Sequence, residues 1–261
     1  MRKPVPHLFT ATLSSDGPKV PVVLSHALGL DHTMWASTAS LWTTERPALA
    51  YDHRGHGRSE APRGPYSMPD LVADAEAVIA QWGRGPVVWV GLSLGGMVGQ
   101  GLAIRRPDLV RGLVLAHTTA RYPEAGRAAW NQRIERVREG GMDSVVDLVL
   151  QRYLTHAVRT QQPEVAGRLR EQVLNTDVEG YVGSCYAIRD VDWLDDLHRI
   201  EVPTLVLAGE HDVGATPAMA EDIHRRIAGS TLTILQGASH LSPVETPAAF
   251  EQEMRNFLAH I

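Results

Sequence analysis

The chain alternates between short apolar runs and longer stretches in which apolar residues recur at helical spacing. Short runs rich in β-branched residues are typical of buried strands, and apolar positions three and four apart are typical of helices packed on one face. The apolar runs lie at residues 21–25, 47–51, 87–90, 113–116, 203–208 and 231–235. Strands that alternate with helices predict an α/β protein with a mostly parallel, doubly wound sheet and right-handed crossovers.

One helix shows both a start signal and a buried face. Ser67 can cap it, because Asp70 follows three residues later and can return the hydrogen bond. Apolar residues then recur at Leu71, Val72, Ala75, Val78, Ile79 and Trp82. This spacing predicts a helix that packs against the sheet.

The middle of the chain changes character. From about residue 121 to residue 191 no strand pattern is convincing, and helical patterns span 128–139, 143–153, 163–174 and 179–188. We therefore predict an α/β core formed by residues 1–120 and 193–261, with residues 121–192 inserted as a helical cap. The aromatic residues of this stretch and its border are assigned to packing, with pocket lining as the alternative; they are Trp130, Tyr153, Tyr181 and Trp193.

Composition and charge exclude several classes of function. The net charge of -5 includes no long run of one sign, which argues against nucleic-acid and anionic-membrane partners. No uncharged apolar stretch is long enough to span a bilayer, and Met1, Arg2 and Lys3 lead into prolines rather than a signal peptide's apolar segment. The lone Cys185 cannot form an intrachain disulfide. We expect a cytoplasmic protein, and no oligomeric state is predicted.

The strongest candidate for chemistry is the turn after the apolar run at 87–90. It reads Gly-Leu-Ser-Leu-Gly, with the serine at Ser93, and a helical pattern follows over 97–106. Gly-x-Ser-x-Gly between a strand and a helix is the sequence of a nucleophile elbow, which exposes the hydroxyl at a helix N-terminus. The alternative is a glycine/serine turn with no chemistry.

A serine nucleophile needs a base, and the base needs a third group that holds its tautomer. In the α/β-hydrolase fold these residues follow in the order serine, acid, histidine, each in a loop after a strand. Asp212 and His240 occupy such loops, and His240 is preferred among the 12 histidines because it follows the last predicted strand. Glu210 is the alternative acid. We predict a catalytic triad of Ser93, Asp212 and His240 at the carboxyl edge of the sheet.

The oxyanion of a tetrahedral intermediate needs two preorganised N–H donors. The backbone N–H of Leu94, the residue after the nucleophile, is one of them. The second is expected from the loop after the apolar run at 21–25, where Leu28 is preferred and Ala27 is the alternative.

No cofactor and no metal are predicted. His53 and His56 are close in sequence, as are His26 and His32, but the His53–His56 pair lies in a glycine-rich loop without the cysteines or carboxylates of a metal site at ligand spacing. The glycine-rich loop at 55–57 lacks the Lys-Ser/Thr ending of a phosphate loop.

These residues resemble those of a known family, the 3-oxoadipate enol-lactonases, which are α/β hydrolases of the β-ketoadipate pathway of bacterial aromatic catabolism. The likeness covers nearly the whole chain, including the predicted cap. The matching stretches are 28–35 (Leu-Gly-Leu-Asp-His-Thr-Met-Trp), 51–59, 64–67, 91–98, 130–134 (Trp-Asn-Gln-Arg-Ile), 138–142, 179–181, 187–190 and 239–242. The chain departs from the family pattern at His26-Ala27, His53 and Pro243, where Asn-Ser, Thr and Asn are expected.

The resemblance implies a small-molecule substrate, an enol-lactone that carries a free carboxylate. Arginine matches a carboxylate with two parallel hydrogen bonds, so Arg133 beside Trp130 is the candidate substrate contact. The alternative for Arg133 is a solvated helix arginine. The alternative functions are a broad carboxylesterase, lactonase or perhydrolase with the same triad, and a non-catalytic ligand receptor on a hydrolase fold.

Overall fold

The computed structural model describes residues 4–14, 16–41 and 46–261. Met1, Arg2 and Lys3, on which the interpretation of the N-terminus partly rests, lie outside the described residues. None of the helices described is long and apolar enough to cross a membrane.

A seven-stranded sheet forms the centre of the molecule, in the order β1-β3-β2-β4-β5-β6-β7. All neighbours pair in parallel except β1 and β3, which are antiparallel. The strands are β1 (Thr10–Ser14), β2 (Val22–Ser25), β3 (Ala48–Tyr51), β4 (Val87–Leu92), β5 (Val110–Ala116), β6 (Thr204–Gly209) and β7 (Thr231–Leu235). The predicted fold class is confirmed, and each predicted apolar run overlaps one strand, although β4, β5 and β6 extend beyond their runs. Strand β1 was not predicted, because it lies at the sheet edge and none of its residues is buried.

Helices follow the parallel strands, as doubly wound sheets require. The helices are α1 (Met68–Trp82), α2 (Leu94–Arg105), α3 (Glu124–Gly140), α4 (Val146–Tyr153), α5 (His156–Gln161), α6 (Pro163–Asn175), α7 (Val178–Arg189), α8 (Pro217–Arg226), α9 (Ser242–Glu245) and α10 (Pro247–Leu258). The predicted capping box at α1 is confirmed: the Ser67 hydroxyl accepts from the Asp70 N–H, and the Asp70 carboxylate accepts from the Ser67 N–H.

Five of these helices, α3 to α7, lie between β5 and β6 in the chain. Four helical patterns were predicted here; α5 was missed, because its six residues are too few for a clear period. The pattern at 143–153 was drawn as one helix, but the chain forms a 3-10 turn over Met142–Ser144 and leaves helical geometry at Val145 before α4 begins. That this segment is a cap distinct from the core stays a prediction.

A buried ion pair fixes the glycine-rich loop after β3 to helix α1. The Arg54 guanidinium donates from Nε and Nη2 to the two carboxylate oxygens of Asp74, at 2.5 and 2.6 Å, and both side chains are fully buried. Arg54 Nη1 is buried without a hydrogen-bond partner in the described chain. Asp74 is therefore the carboxylate that both neutralises the guanidinium and accepts its hydrogen bonds.

Removing that carboxylate is expected to destabilise the fold strongly. Asp74→Ala leaves a buried, uncompensated guanidinium, which costs about 3–5 kcal/mol in comparable sites. Urea unfolding would measure the loss. The control is Asp108→Ala, which breaks an exposed pair with Arg106 and should change stability little. Equal losses in the two variants would contradict the role given to the buried pair.

Candidate active site

Ser93 lies at the junction of β4 and α2 in a conformation that few residues adopt. Its φ and ψ are 56° and -109°, and α2 begins at the next residue, Leu94. A Cβ at Gly91 would collide with the Gly95 carbonyl, and one at Gly95 would collide with the Ser25 carbonyl. Only glycine fits at both positions. The predicted strand, tight turn and helix are present, and the serine stands at the N-terminal end of the helix dipole.

Asp212 and His240 meet at the carboxyl edge of the sheet. His240 Nδ1 lies 2.7 Å from Asp212 Oδ2, at hydrogen-bond distance. The other carboxylate oxygen accepts from the backbone N–H groups of Gly214 and Ala215, at 2.8 and 2.9 Å. Glu210, the alternative acid, instead accepts from the Gly237 N–H at the surface.

The carboxyl group of Asp212 is held in its ionised form. Burial by itself raises its pKa, but the charge of His240 and the two imidazoles beside the carboxylate outweigh burial. The pKa of Asp212 therefore lies far below its ordinary value. A carboxylate in this state can orient the imidazole of His240 and stabilise its cation.

The Ser93 hydroxyl makes no hydrogen bond to His240, or to any other residue of the described chain. Ser93 follows β4 and His240 follows β7, both at the carboxyl edge of the sheet, but no hydrogen bond joins the two side chains here. Hydrogen bonds of this kind are often long in free enzymes and shorten when substrate binds. The structure therefore shows the contact between Asp212 and His240, but no hydrogen bond from His240 to Ser93.

The predicted oxyanion donors belong to the first residue of α2 and to the loop after β2. Leu94 and Leu28 are almost fully buried. Within the described residues, the N–H groups of Leu28 and Leu94 have no hydrogen-bond acceptor, and neither has that of Ala27. Both alternatives for the second donor therefore stay open.

Tyr153, at the end of α4, links the helical insertion to both parts of the site. Its hydroxyl donates to the Leu28 carbonyl at 2.7 Å, and its ring stacks on His240 with centroids 4.9 Å apart. The sequence placed Tyr153 in packing, with pocket lining as the alternative. Only the folded chain brings the end of α4 onto the histidine, so no local pattern predicted this contact.

His26 and His53, which depart from the family pattern, form buried hydrogen bonds to each other and to the loop after β2. His26 Nε2 accepts from the His53 N–H at 2.9 Å, which leaves Nδ1 to donate to the Ala27 carbonyl at 2.8 Å. His53 in turn contacts the Ser25 hydroxyl at 3.0 Å. Two of the departures from the family pattern thus form one connected buried network.

A cavity of about 230 Å³ lies beside the loop that carries Asp212. Its walls include Trp130, Arg133, Arg152, Val213 and Gly214, but not Ser93 or His240. Both arginines lie over the Trp130 ring, with guanidinium carbons 4.9 and 5.6 Å from the ring centroid. Neither forms an ion pair with a carboxylate of the described chain. The sequence pointed to Trp130 and Arg133; it missed Arg152, which carries no local signal.

Among the residues that the structure describes, two groups of side chains have the spacing of metal ligands, namely His117 with Asp212 and His240, and Asp31 with His32 and Asp52. In each, the central carboxylate is already occupied: Asp212 by His240, and Asp52 by His32 at 2.8 Å and by the Arg58 N–H at 2.9 Å. The absence of a metal stays a prediction, and these hydrogen bonds support it.

Residues 20–247 match the family model described as the alpha/beta hydrolase fold. The chain belongs to the α/β-hydrolase family, and it is an enzyme that hydrolyses carboxylic esters or lactones.

More particular similarities agree with the resemblance inferred from the motifs. The chain is 34% identical to 3-oxoadipate enol-lactonase 2 of Acinetobacter baylyi, over 88% of this chain and 85% of that protein. It superposes on the enol-lactonase of Burkholderia xenovorans with a TM-score of 0.93 and 35% identity, covering 97% and 96% of the two chains. It also superposes on a thermophilic esterase from Thermogutta terrifontis, with a TM-score of 0.89 and 29% identity over 97% and 93%.

The buried histidines are expected to make the protein sensitive to acid. Burial lowers the pKa of His26 and His53, and it lowers the pKa of His56 to about 3. Below pH 6.5 the unfolded chain therefore binds protons that the folded chain refuses, so stability falls as pH falls. From pH 6.5 to pH 5, His56, with its pKa of about 3, should remove about 1.6 kcal/mol from the free energy of unfolding.

Urea unfolding at the two pH values measures this effect. His56→Asn should reduce the loss of unfolding free energy between pH 6.5 and pH 5 by the contribution of this one histidine. His260→Asn, at an exposed position, should leave it unchanged. An unchanged loss in His56→Asn would contradict the neutral, buried state of His56.

Proposed function

We propose that the protein opens 3-oxoadipate enol-lactone to 3-oxoadipate in aromatic catabolism, with Ser93 as nucleophile, His240 as base and Asp212 as the orienting acid. The observation that carries the proposal is the 2.7 Å contact between His240 and the buried Asp212 carboxylate at the sheet edge where the strained Ser93 turn also lies. Similarity to enol-lactonases over nearly the whole chain supports the choice of substrate. A cytoplasmic location stays a prediction.

In the first half of the reaction, the Ser93 oxygen attacks the lactone carbonyl while His240 takes the hydroxyl proton. The negative charge moves to the carbonyl oxygen, where the N–H groups of Leu94 and Leu28 would stabilise it. The ring C–O bond then breaks. The enolate leaves, takes the proton from His240 and passes to the ketone, so the acyl group stays on Ser93.

In the second half, His240 takes a proton from water and the resulting hydroxide attacks the acyl-enzyme. The bond to Ser93 breaks, His240 returns the proton to the serine oxygen, and the free acid leaves. Asp212 holds the imidazole in the required tautomer through both halves. The scheme uses no cofactor.

The substrate's free carboxylate has a natural place in the cavity beside Asp212. Arg133 and Arg152 meet over Trp130 there, and no carboxylate of the described chain neutralises either of them. An unpaired guanidinium in a partly buried pocket favours an anionic ligand, which it can hold through two parallel hydrogen bonds. We propose that Arg133, Arg152 and Trp130 bind the carboxylate and place the lactone ring towards Ser93.

Replacing the nucleophile is expected to remove activity without harming the fold. Ser93→Ala should lower kcat/KM for the lactone by at least about a thousandfold, because the acyl-enzyme cannot form. The matched control is Ser184→Ala, a buried serine in α7 whose hydroxyl has no hydrogen-bond partner in the described chain. It should keep most of its activity. Retained turnover by Ser93→Ala would rule out the proposed mechanism.

If the arginines bind the substrate carboxylate, replacing them should lower activity on a charged substrate more than on a neutral one. Arg133→Gln and Arg152→Gln should each lower kcat/KM for the carboxylate-bearing lactone by roughly 10–100-fold, the value of a charged hydrogen bond. Hydrolysis of the lactone's neutral methyl ester should change less than about threefold. Arg136→Gln, at an exposed position on α3, is the matched control. Equal losses on both substrates would remove these arginines from carboxylate recognition.

A broad carboxylesterase is the second candidate, favoured by the similarity to the Thermogutta esterase. Such an enzyme would use the same triad and show no preference for a charged substrate. Turnover of the enol-lactone compared with that of simple neutral esters separates the two functions. A preference for the neutral esters would favour the esterase.

A further inference from the structure

The Asp212 carboxylate lies between two histidines rather than beside one. On one side His240 Nδ1 lies 2.7 Å from Oδ2. On the other side His117 Nδ1 lies 3.4 Å from the same oxygen. A triad as inferred from the sequence accounts only for His240, so the second imidazole needs its own explanation.

His117 is held rigidly where β5 ends. Its side chain is fully buried, and its backbone N–H donates to the Leu207 carbonyl at 2.7 Å. Its φ of 50° is a left-handed conformation that few non-glycine residues adopt. Maintaining such a conformation in a buried residue costs free energy, and strain of this kind concentrates at functional sites.

The contacts of the His117 ring favour one tautomer. His117 Nε2 lies 2.6 Å from the hydroxyl of Ser242, which is fully buried in α9. Nδ1 is buried and has no hydrogen-bond partner in the described chain, so the Asp212 carboxylate is the acceptor nearest to it. If Nε2 accepts from the serine hydroxyl, Nδ1 carries the proton and faces the carboxylate favourably. The other tautomer would point a lone pair at the negative charge.

We propose that His117 is a positioning residue: Ser242 fixes its tautomer, and its Nδ1–H holds the Asp212 carboxylate in the orientation that His240 requires. The carboxylate then has four N–H donors, two from the backbone on Oδ1 and two imidazoles at Oδ2. Four is the full acceptor capacity of a carboxylate. Loss of the His117 donor would leave Oδ2 with one partner and a freer orientation.

The effect of the His117 donor on His240 depends on the ionisable groups around the two imidazole rings. The ionisable groups that face them are Asp212, Tyr153, which stacks on His240, and Glu245, which accepts from the Ser239 and Thr155 N–H groups. Burial lowers the pKa of His117, although Asp212 opposes the shift, so the ring is neutral. A neutral N–H donor at His117 stabilises the negative charge of the Asp212 carboxylate. The carboxylate then stabilises the protonated form of His240 less strongly.

This inference rests on the proposed function for its kinetic test. His117→Leu should lower kcat roughly 5–50-fold and leave KM within about threefold, because the residue orients the triad and does not contact substrate. The acid limb of the kcat/KM profile should move up by roughly 0.5–1 pH unit, since the carboxylate then binds the protonated base more tightly. A neutral p-nitrophenyl ester as substrate avoids substrate ionisation.

Rescue by the conservative variant separates positioning from packing. His117→Asn keeps an N–H at about the position of Nδ1 and tolerates the positive φ, so it should retain kcat within about threefold. Ser242→Ala should shift activity in the same direction as His117→Leu but less. Its control is Ser37→Ala, which removes a hydroxyl that donates to the Pro243 carbonyl in α9. An unmoved acid limb, or equal losses in the Leu and Asn variants, would overturn the proposal.

A second measurement does not depend on activity. Nitrogen NMR of uniformly ¹⁵N-labelled protein, with the His117 signals assigned by their absence in His117→Asn, reports the tautomer directly. We expect the proton on Nδ1, and a shift towards the other tautomer in Ser242→Ala. A proton on Nε2 in the native protein would overturn the proposal, whereas failure to hydrolyse lactones would overturn only the proposed function.

Discussion

The arrangement of the site depends on one buried negative charge, the carboxylate of Asp212. A buried charge is tolerable only when donors compensate it, and here backbone N–H groups and two imidazoles surround it. The loop after β6 must therefore fold over the carboxylate, and the loops after β5 and β7 must each supply a histidine. Three loops from separate parts of the chain are tied together by this constraint, and His240 is oriented as a consequence.

The helical segment between β5 and β6 contacts the site at several points. Tyr153 stacks on His240 and holds the Leu28 carbonyl, while Thr176 donates to the Gly29 carbonyl and the Tyr181 ring lies against Gly29. The loop after β2 is thus held both by the helical segment and by the His26 network. The same helical segment supplies Trp130, Arg133 and Arg152, so the proposed carboxylate contacts and the ring that stacks on His240 lie on one part of the chain.

The fold was largely predictable because its signals are local. Apolar runs of strand length, the Ser67 capping box and the glycines on either side of Ser93 each act within a few residues, and each lies where the pattern placed it. The failures were also local in origin. Strand β1 is exposed at the sheet edge and so has no apolar run, α5 is too short for a period, and the chain leaves helical geometry at Val145.

By itself the sequence determined the order of strands and helices, the strained serine turn and the two loops that carry Asp212 and His240. These features could be predicted because strand burial and turn geometry depend on short stretches of residues, and the order of the loops follows the chain. The tertiary structure alone decided that Asp212 rather than Glu210 contacts His240, that His117 shares the same carboxylate, and that Arg152 joins Arg133 over Trp130. These contacts join segments far apart in the chain, and no local pattern encodes which distant side chains the folded sheet brings within a few ångströms.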